Sequence, residues 1–146
     1  MANRSMTSGG PAPRGDIRDQ LRVIGAAPTF ADAPAALLRR LADLGHVVHV
    51  PARWTMLAEQ TAPEKAYVLL SGEVDVLRRR EQLGYCRPGE ILGELGILQH
   101  RLRTATVVAA TDVVALHLTS DAFEQLHAED PYFRGLVGDA MLRKTA

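Results

Sequence analysis

The residues of this sequence that are best suited to binding chemistry lie in two short clusters: Gly93, Glu94, Leu95, Arg103, Thr104 and Ala105. A glycine such as Gly93 lets the backbone approach a ligand closely. Free amides at the start of a helical turn, near Glu94, point at an anion. Arg103 adds a planar, permanently charged group that suits phosphate. The segment therefore predicts a strand end, a glycine turn, one helical turn, a loop and a new strand around a bound anion.

The carboxylate of Glu94 narrows the kind of ligand. A carboxylate is unusual beside a phosphate, since both groups carry negative charge. It is useful there if it accepts a hydrogen bond from a sugar hydroxyl while Arg103 offsets its charge. The two residues are nine positions apart in the chain. The cluster therefore predicts a ligand in which one phosphate and one ribose hydroxyl lie close together.

Short strands are the elements that must position these residues. Between residues 46 and 118 the chain breaks into β-like runs, which are separated by proline and glycine turn signals. Several short strands at this spacing predict an antiparallel sandwich or barrel. The predicted runs are His46–Val50, Trp54–Ala58, Ala66–Leu70, Glu73–Arg80, Gln82–Cys86, Thr104–Ala110 and Asp112–Leu118.

Helical periodicity flanks the strands on both sides. Before them, Asp16–Ile24 and Ala35–Leu44 carry apolar residues on one face, and Gly45 is expected at the C′ position of the second helix. After them, Thr119–Asp121 offers an N-cap, and Asp130-Pro131 begins a last helix with a capping carboxylate. The apolar residues of that last helix predict that it packs on a lid, a partner or another copy of the chain.

The resemblance to a known family lies in the same residues. Gly93-Glu94-Leu95, the interval of nine positions and Arg103-Thr104-Ala105 resemble the phosphate-binding cassette of cyclic nucleotide-binding domains. The run Tyr67–Val74 and the turn Pro88-Gly89-Glu90 also match, and the resemblance covers about residues 20–146. The family includes bacterial catabolite activators, regulatory parts of cyclic nucleotide-dependent kinases and cyclic nucleotide-gated channels.

The resemblance implies a role for each site residue. Glu94 would bind the ribose 2′-hydroxyl, and Arg103 would bind the cyclic phosphate. Thr104 would reach the phosphate, and it leaves the choice between cAMP and cGMP open. The remaining expected contacts would be made by backbone amides, those of Gly93, Leu95 and Ala105.

The sequence also departs from the family pattern. Leu92 stands where an aromatic residue is frequent, Gln60 where a Gly-Asp turn is common, and Arg53 where glycine is common. None of these departures removes an expected ligand contact. Two parts of the site stay open, the base-facing wall, with Leu83, Tyr85 and Cys86 nearby, and the purine cap, with Met141, Leu142 and Lys144 as candidates.

Composition limits the other classes of function. The 146 residues suit one domain, predicted over residues 16–146 behind a flexible tail at 1–15. Seventeen basic and seventeen acidic side chains give no excess charge for binding DNA. The single Cys86, the lack of a long apolar run and the lack of a secretory signal predict a cytoplasmic protein.

Catalytic and metal-dependent alternatives lack the residues that they need. His46 and His49 are three positions apart on a predicted strand, so they fall on opposite faces. No histidine cluster suits a metal site or a cupin-like enzyme, and Cys86 is interpreted as a core residue. The arginines at 78–80 are interpreted as a solvated hairpin.

The sequence thus predicts a mainly β fold with flanking helices (α+β): an eight-stranded antiparallel β-roll of the jelly-roll type, with N-terminal helices and two C-terminal helices. The predicted function is a non-enzymatic cAMP or cGMP sensor without a cofactor or metal. Its last helix would relay binding to a protein partner, a homodimer or an effector domain. The alternative is a protein-interaction module that keeps the roll but binds no ligand.

Overall fold

The computed structural model of the protein describes residues 17–86 and 88–145, with side chains described as far as residue 139 in the last helix. The predicted tail at 1–15 lies outside the described residues, as do Asp16 and the side chains of Met141, Leu142 and Lys144.

The described residues form five α-helices, one short 3-10 helix and eight strands. The helices are α1 (Ile17–Gly25), the 3-10 helix (Pro28–Phe30), α2 (Ala35–Leu44), α3 (Glu94–Gln99), α4 (Ser120–Glu129) and α5 (Pro131–Thr145). The strands are β1 (His46–Val50), β2 (Thr55–Leu57), β3 (Lys65–Ser71), β4 (Val74–Arg78), β5 (Glu81–Cys86), β6 (Ile91–Leu92), β7 (Thr106–Ala109) and β8 (Val113–Thr119).

The strands form two four-stranded antiparallel sheets, in the orders β1-β8-β3-β6 and β2-β7-β4-β5. This arrangement confirms the predicted β-roll with flanking helices. Its strands pair over long sequence distances; for example, His46 on β1 lies opposite His117 on β8.

The sheet β1-β8-β3-β6 lies between two apolar cores, one on each of its faces. On β3, Tyr67 and Leu69 belong to a cluster shared by the two sheets, whereas Ala66, Val68 and Leu70 belong to a cluster shared with the helices. Because successive strand side chains point to opposite faces, a strand covered on both sides must be apolar at every position. The continuous apolar run of β3 has this cause.

Helix starts agree with the predicted capping residues. Thr119 accepts a hydrogen bond from the amide of Ala122 at 3.1 Å, and the Asp130 carboxylate accepts one from the amide of Phe133 at 2.9 Å. Gly45 differs from its expected role. It ends α2 in extended backbone, with φ −107°, not as a left-handed C′ residue. Crowding explains why this position is glycine, because a Cβ atom there would lie 2.7 Å from the Leu116 side chain.

A turn explains why β4 is shorter than predicted. The predicted strand Glu73–Arg80 ends at Arg78, because Arg79 and Arg80 adopt positive φ values of 51° and 70°. Arg53 and Gln60, which stand where the family has glycine, also keep left-handed backbone, with φ 76° and 65°. Holding residues with side chains in this backbone region costs about 1–2 kcal/mol each.

Candidate functional site

The structure brings all six predicted site residues to one cavity of about 490 Å³. The cavity lies against the sheet β2-β7-β4-β5 and the start of α3. Two segments supply the predicted residues, the β6–α3 turn and the approach to β7: Gly93, Glu94, Leu95, Arg103, Thr104 and Ala105.

Gly93 makes the sharp entry into α3. It has φ 90°, in the left-handed region that glycine favours, and it is the N-cap of the helix. A Cβ atom would lie 2.7 Å from Nη1 of Arg103 and 3.1 Å from the Lys65 carbonyl oxygen. The position thus needs glycine both for its backbone angle and for the approach of Arg103.

Replacing Gly93 with alanine is expected to lower the unfolding free energy by about 1–3 kcal/mol, because alanine is strained at this φ and its Cβ atom displaces Arg103. Chemical denaturation measures this change. Gly84→Ala is the control, since a Cβ atom there has no neighbour within 4 Å. Equal stability of the two variants would contradict the prediction.

Glu94 is a buried carboxylate in the first turn of α3. Its side chain has no exposed surface, although it lines the cavity. Glu94 as a residue takes part in a polar interaction. Its Oε2 atom, however, is buried and accepts no hydrogen bond within the described part of the chain. A buried carboxylate is costly without compensating charge, and its charge acts on the neighbouring Arg103.

Arg103 lies across the turn and is only 6% exposed. Its Nη1 atom donates to the Gly93 carbonyl at 3.4 Å, and its Nη2 atom donates to the carbonyl of Lys65. Burial lowers the pKa of this guanidinium, whereas the nearby Tyr67, Glu94 and Glu64 act to raise it. The side chain is therefore a partly desolvated cation that is held by backbone oxygens at the edge of the cavity.

Thr104 and Ala105 continue from Arg103 towards β7. Thr104 is exposed, Ala105 is half-buried, and both line the cavity. The Thr104 carbonyl accepts a hydrogen bond from Nε of Arg78 at 3.0 Å.

The wall that the sequence left open is formed by β5. Leu83, Gly84, Tyr85 and Cys86 all line the cavity. Leu83 and Tyr85 are 52% and 54% exposed, whereas Cys86 is buried and free of disulfide bonding. Apolar side chains on this wall suit a flat, partly apolar ligand group.

Sequence reasoning missed two charged residues of the cavity. Arg78 was expected in a solvated hairpin, and Glu90 was expected only in a turn, but both line the cavity. The strand alternation of Val76 and Arg78 placed them on one face, and both are lining residues. The missing information was which strand lies beside β4.

No group of three or more metal-binding side chains occurs in the part of the chain that the structure describes. His49 is exposed on β1, while His46 lies near the buried His117, with ring centroids 6.4 Å apart.

Comparison with known proteins identifies the family. The family model of the cyclic nucleotide-binding domain matches residues 47–130, which include the whole cavity lining and all strand residues except His46. The chain therefore belongs to the cyclic nucleotide-binding domain family, as the cassette predicted. It is a domain similar to the regulatory subunits of cAMP-dependent protein kinase.

Two curated relatives illustrate the likeness. An uncharacterized ABC transporter ATP-binding protein of Mycobacterium tuberculosis is 34% identical over 83 residues, which is 53% of this chain and 25% of that protein. A cAMP-dependent protein kinase regulatory subunit of Aspergillus niger is 33% identical over 89 residues, which is 60% of this chain and 22% of that protein. The chain thus spans about a quarter of the length of the curated relatives that it matches.

Solved structures share the fold. A cAMP-binding acyltransferase from Mycobacterium smegmatis superposes with a TM-score of 0.70 at 23% identity, over 87% of this chain and 41% of that one. The regulatory domain of Toxoplasma gondii PKA with cAMP gives a TM-score of 0.70 at 14% identity, over 86% of this chain and 49% of that one.

Among the described helices, none has the length and apolar character that crossing a membrane requires.

Proposed function

We propose that the cavity binds cAMP or cGMP and that the domain acts as a non-enzymatic cytoplasmic sensor without a cofactor. One observation carries the proposal: a buried carboxylate and a buried guanidinium, those of Glu94 and Arg103, line the same cavity beside the left-handed Gly93. This pair suits a ribose hydroxyl next to a phosphate.

Each predicted residue then has a role in binding. Glu94 accepts a hydrogen bond from the ribose 2′-hydroxyl, and Arg103 binds the cyclic phosphate. Thr104 contacts the phosphate, and the amides of Gly93, Leu95 and Ala105 complete the polar contacts. The wall of β5 that includes Leu83, Tyr85 and Cys86 faces the base.

The proposed relay runs from α3 to the C-terminal helices. Glu94 begins α3, and Ile97 of the same helix belongs to the packed cluster that contains Phe123 and Phe133. The rings of Phe123 and Phe133 are 5.5 Å apart in an edge-to-face contact. A shift of α3 on binding therefore changes the packing of α4 and α5. This change in the C-terminal helices is passed on to a protein partner, a second copy or an effector region.

A thermal-shift titration with cAMP and cGMP tests the proposal. A ligand at 100 times its Kd stabilises the domain by about 2.7 kcal/mol, or roughly 5–10 °C at this chain length. The non-cyclic nucleotide 5′-AMP is the control ligand, because it lacks the cyclic phosphate. We expect a shift with at least one cyclic nucleotide and little with 5′-AMP.

The alternative, a protein-interaction module without a ligand, is favoured by one specific contact. The Arg103 guanidinium already donates to two backbone carbonyls, those of Gly93 and Lys65. These bonds give Arg103 a purely structural role if no phosphate enters. An absence of any shift with millimolar cAMP or cGMP would support this alternative and contradict the sensor.

A further inference from the structure

Strand β7 is paired with its neighbour β4 along its whole length, but the residues that precede β7 are not. The ladder between them pairs Val74 with Ala109 and continues to Leu77, which pairs with Thr106. Thr104 and Ala105 lie beyond this last pair. These two residues, which are proposed to contact the ligand, therefore need another attachment to keep their backbone in place.

One side of the segment is held by the turn after β2. The Arg103 amide donates to the Thr61 carbonyl at 3.0 Å, and the Gln60 amide donates to the Arg103 carbonyl at 2.8 Å. These bonds hold the backbone of Arg103. They leave the next peptide unit, between Thr104 and Ala105, to be oriented by other contacts.

Arg78 supplies a contact at this next peptide unit. Its Nε atom donates to the Thr104 carbonyl at 3.0 Å, and its side chain lines the cavity. The bond joins residues that are 26 positions apart. The two following arginines differ, since Arg79 and Arg80 turn the chain with positive φ and neither lines the cavity.

The hydrogen bond from Arg78 to the Thr104 carbonyl also restricts the orientation of the next amide, because the peptide unit is planar. The carbonyl of Thr104 and the amide of Ala105 belong to one planar trans peptide unit and point in opposite directions. A donor that holds the carbonyl thus also sets the direction of the amide. Arginine suits this task because its fork is rigid and always charged.

We propose that Arg78 is a positioning residue of the cavity: it holds the Thr104–Ala105 peptide unit and so orients the Ala105 amide and the Thr104 side chain towards the ligand. Its effect on affinity rests on the proposed function. Its effect on the backbone of this segment is independent of any ligand.

The test compares Arg78→Gln with Arg80→Gln in the full chain by NMR. In the absence of ligand, Arg78→Gln should move the carbonyl ¹³C resonance of Thr104 upfield, since the hydrogen bond is lost. It should also lower the backbone order parameters of Thr104 and Ala105 from rigid values of about 0.85. Arg80→Gln, which removes an equal charge from the same hairpin, should change neither.

Calorimetry with cAMP and cGMP provides the second measurement. We expect Arg78→Gln to weaken binding about three- to tenfold, because one charged hydrogen bond at an exposed position is lost, and Arg80→Gln to leave affinity within twofold. Unchanged NMR parameters in Arg78→Gln would overturn the proposal, and so would NMR changes with unaltered affinity.

The two proposals fail in different ways. If the unmodified protein binds neither cyclic nucleotide, the proposed function fails, while the NMR comparison still decides whether Arg78 holds the peptide unit. If the protein binds a nucleotide and both variants bind it equally, the proposed function stands and the positioning role of Arg78 is overturned.

Discussion

Arg103→Ala is expected to weaken cyclic nucleotide binding about ten- to a hundredfold, which corresponds to roughly 1.5–3 kcal/mol. The reason is the loss of a charge-assisted contact to phosphate at a site where the guanidinium is only 6% exposed. Water screens such a buried charge poorly, so its removal is not compensated by solvent. Isothermal titration calorimetry with both cAMP and cGMP measures the change.

Two further variants separate the charge of Arg103 from its shape and its structural contacts. Arg103→Lys keeps the charge but cannot donate in a planar fork, so we expect an intermediate affinity. Arg101→Ala removes an exposed arginine of the same loop and should bind as the unmodified protein does. Since Arg103 also holds two backbone carbonyls, affinities are compared well below each variant's unfolding temperature. Equal affinity of Arg103→Ala and the unmodified protein would exclude Arg103 as the phosphate ligand.

Acidification is expected to destabilise the fold through His117. This residue is 8% exposed on β8, and its Nδ1 atom has no hydrogen bond within the described residues. Burial lowers the pKa of His117 to about 4, and the charges of Lys65 and His46 act in the same direction. The ring lies edge-on to Tyr67, at a centroid distance of 5.4 Å, and burial raises the pKa of that phenol to about 12.

The direction of the effect follows from proton linkage. The unfolded chain binds a proton at His117 near pH 6.5, whereas the folded chain does so only near pH 4. The stabilising contribution is therefore complete above pH 6.5 and is lost as the pH falls towards 4. The loss amounts to at most about 3 kcal/mol of unfolding free energy.

Urea denaturation between pH 7.5 and pH 4 measures this dependence. His117→Phe keeps a ring of similar size without a titrating group, so its stability should fall less steeply over the same pH range. His49→Phe serves as the control, because His49 is exposed on the neighbouring strand. Parallel pH profiles for the unmodified protein and His117→Phe would show that His117 is not the group responsible.

Much of the site was predictable because its determinants are local. The left-handed Gly93, the helical turn that begins at Glu94 and the interval to Arg103 all lie within eleven consecutive residues. Backbone angles and capping depend on near neighbours, so the pattern of residue types was sufficient to predict them. The observed bounds of α2 and β1 also coincide with the predicted ones.

Other features depended on contacts between distant parts of the chain. The two-residue strand β6 is too short to carry a periodic signal, and it is defined by pairing with β3. Gly45 was interpreted as a C′ residue, whereas its role depends on Leu116, which lies 71 positions away. Base-facing candidates on β5 were identified only in general terms, since nothing local shows which strand faces the cassette.

By itself the sequence determined the family, the β-roll with its flanking helices and the carboxylate–guanidinium pair, because periodicity and turn chemistry are short-range properties. Tertiary structure alone decided that Arg103 donates to Lys65, 38 positions away, that Arg78 reaches Thr104, and that His117 is buried. The physical reason is that strand order determines these three features. That order depends on packing two apolar cores, one on each face of β3, so no single segment of the chain encodes it.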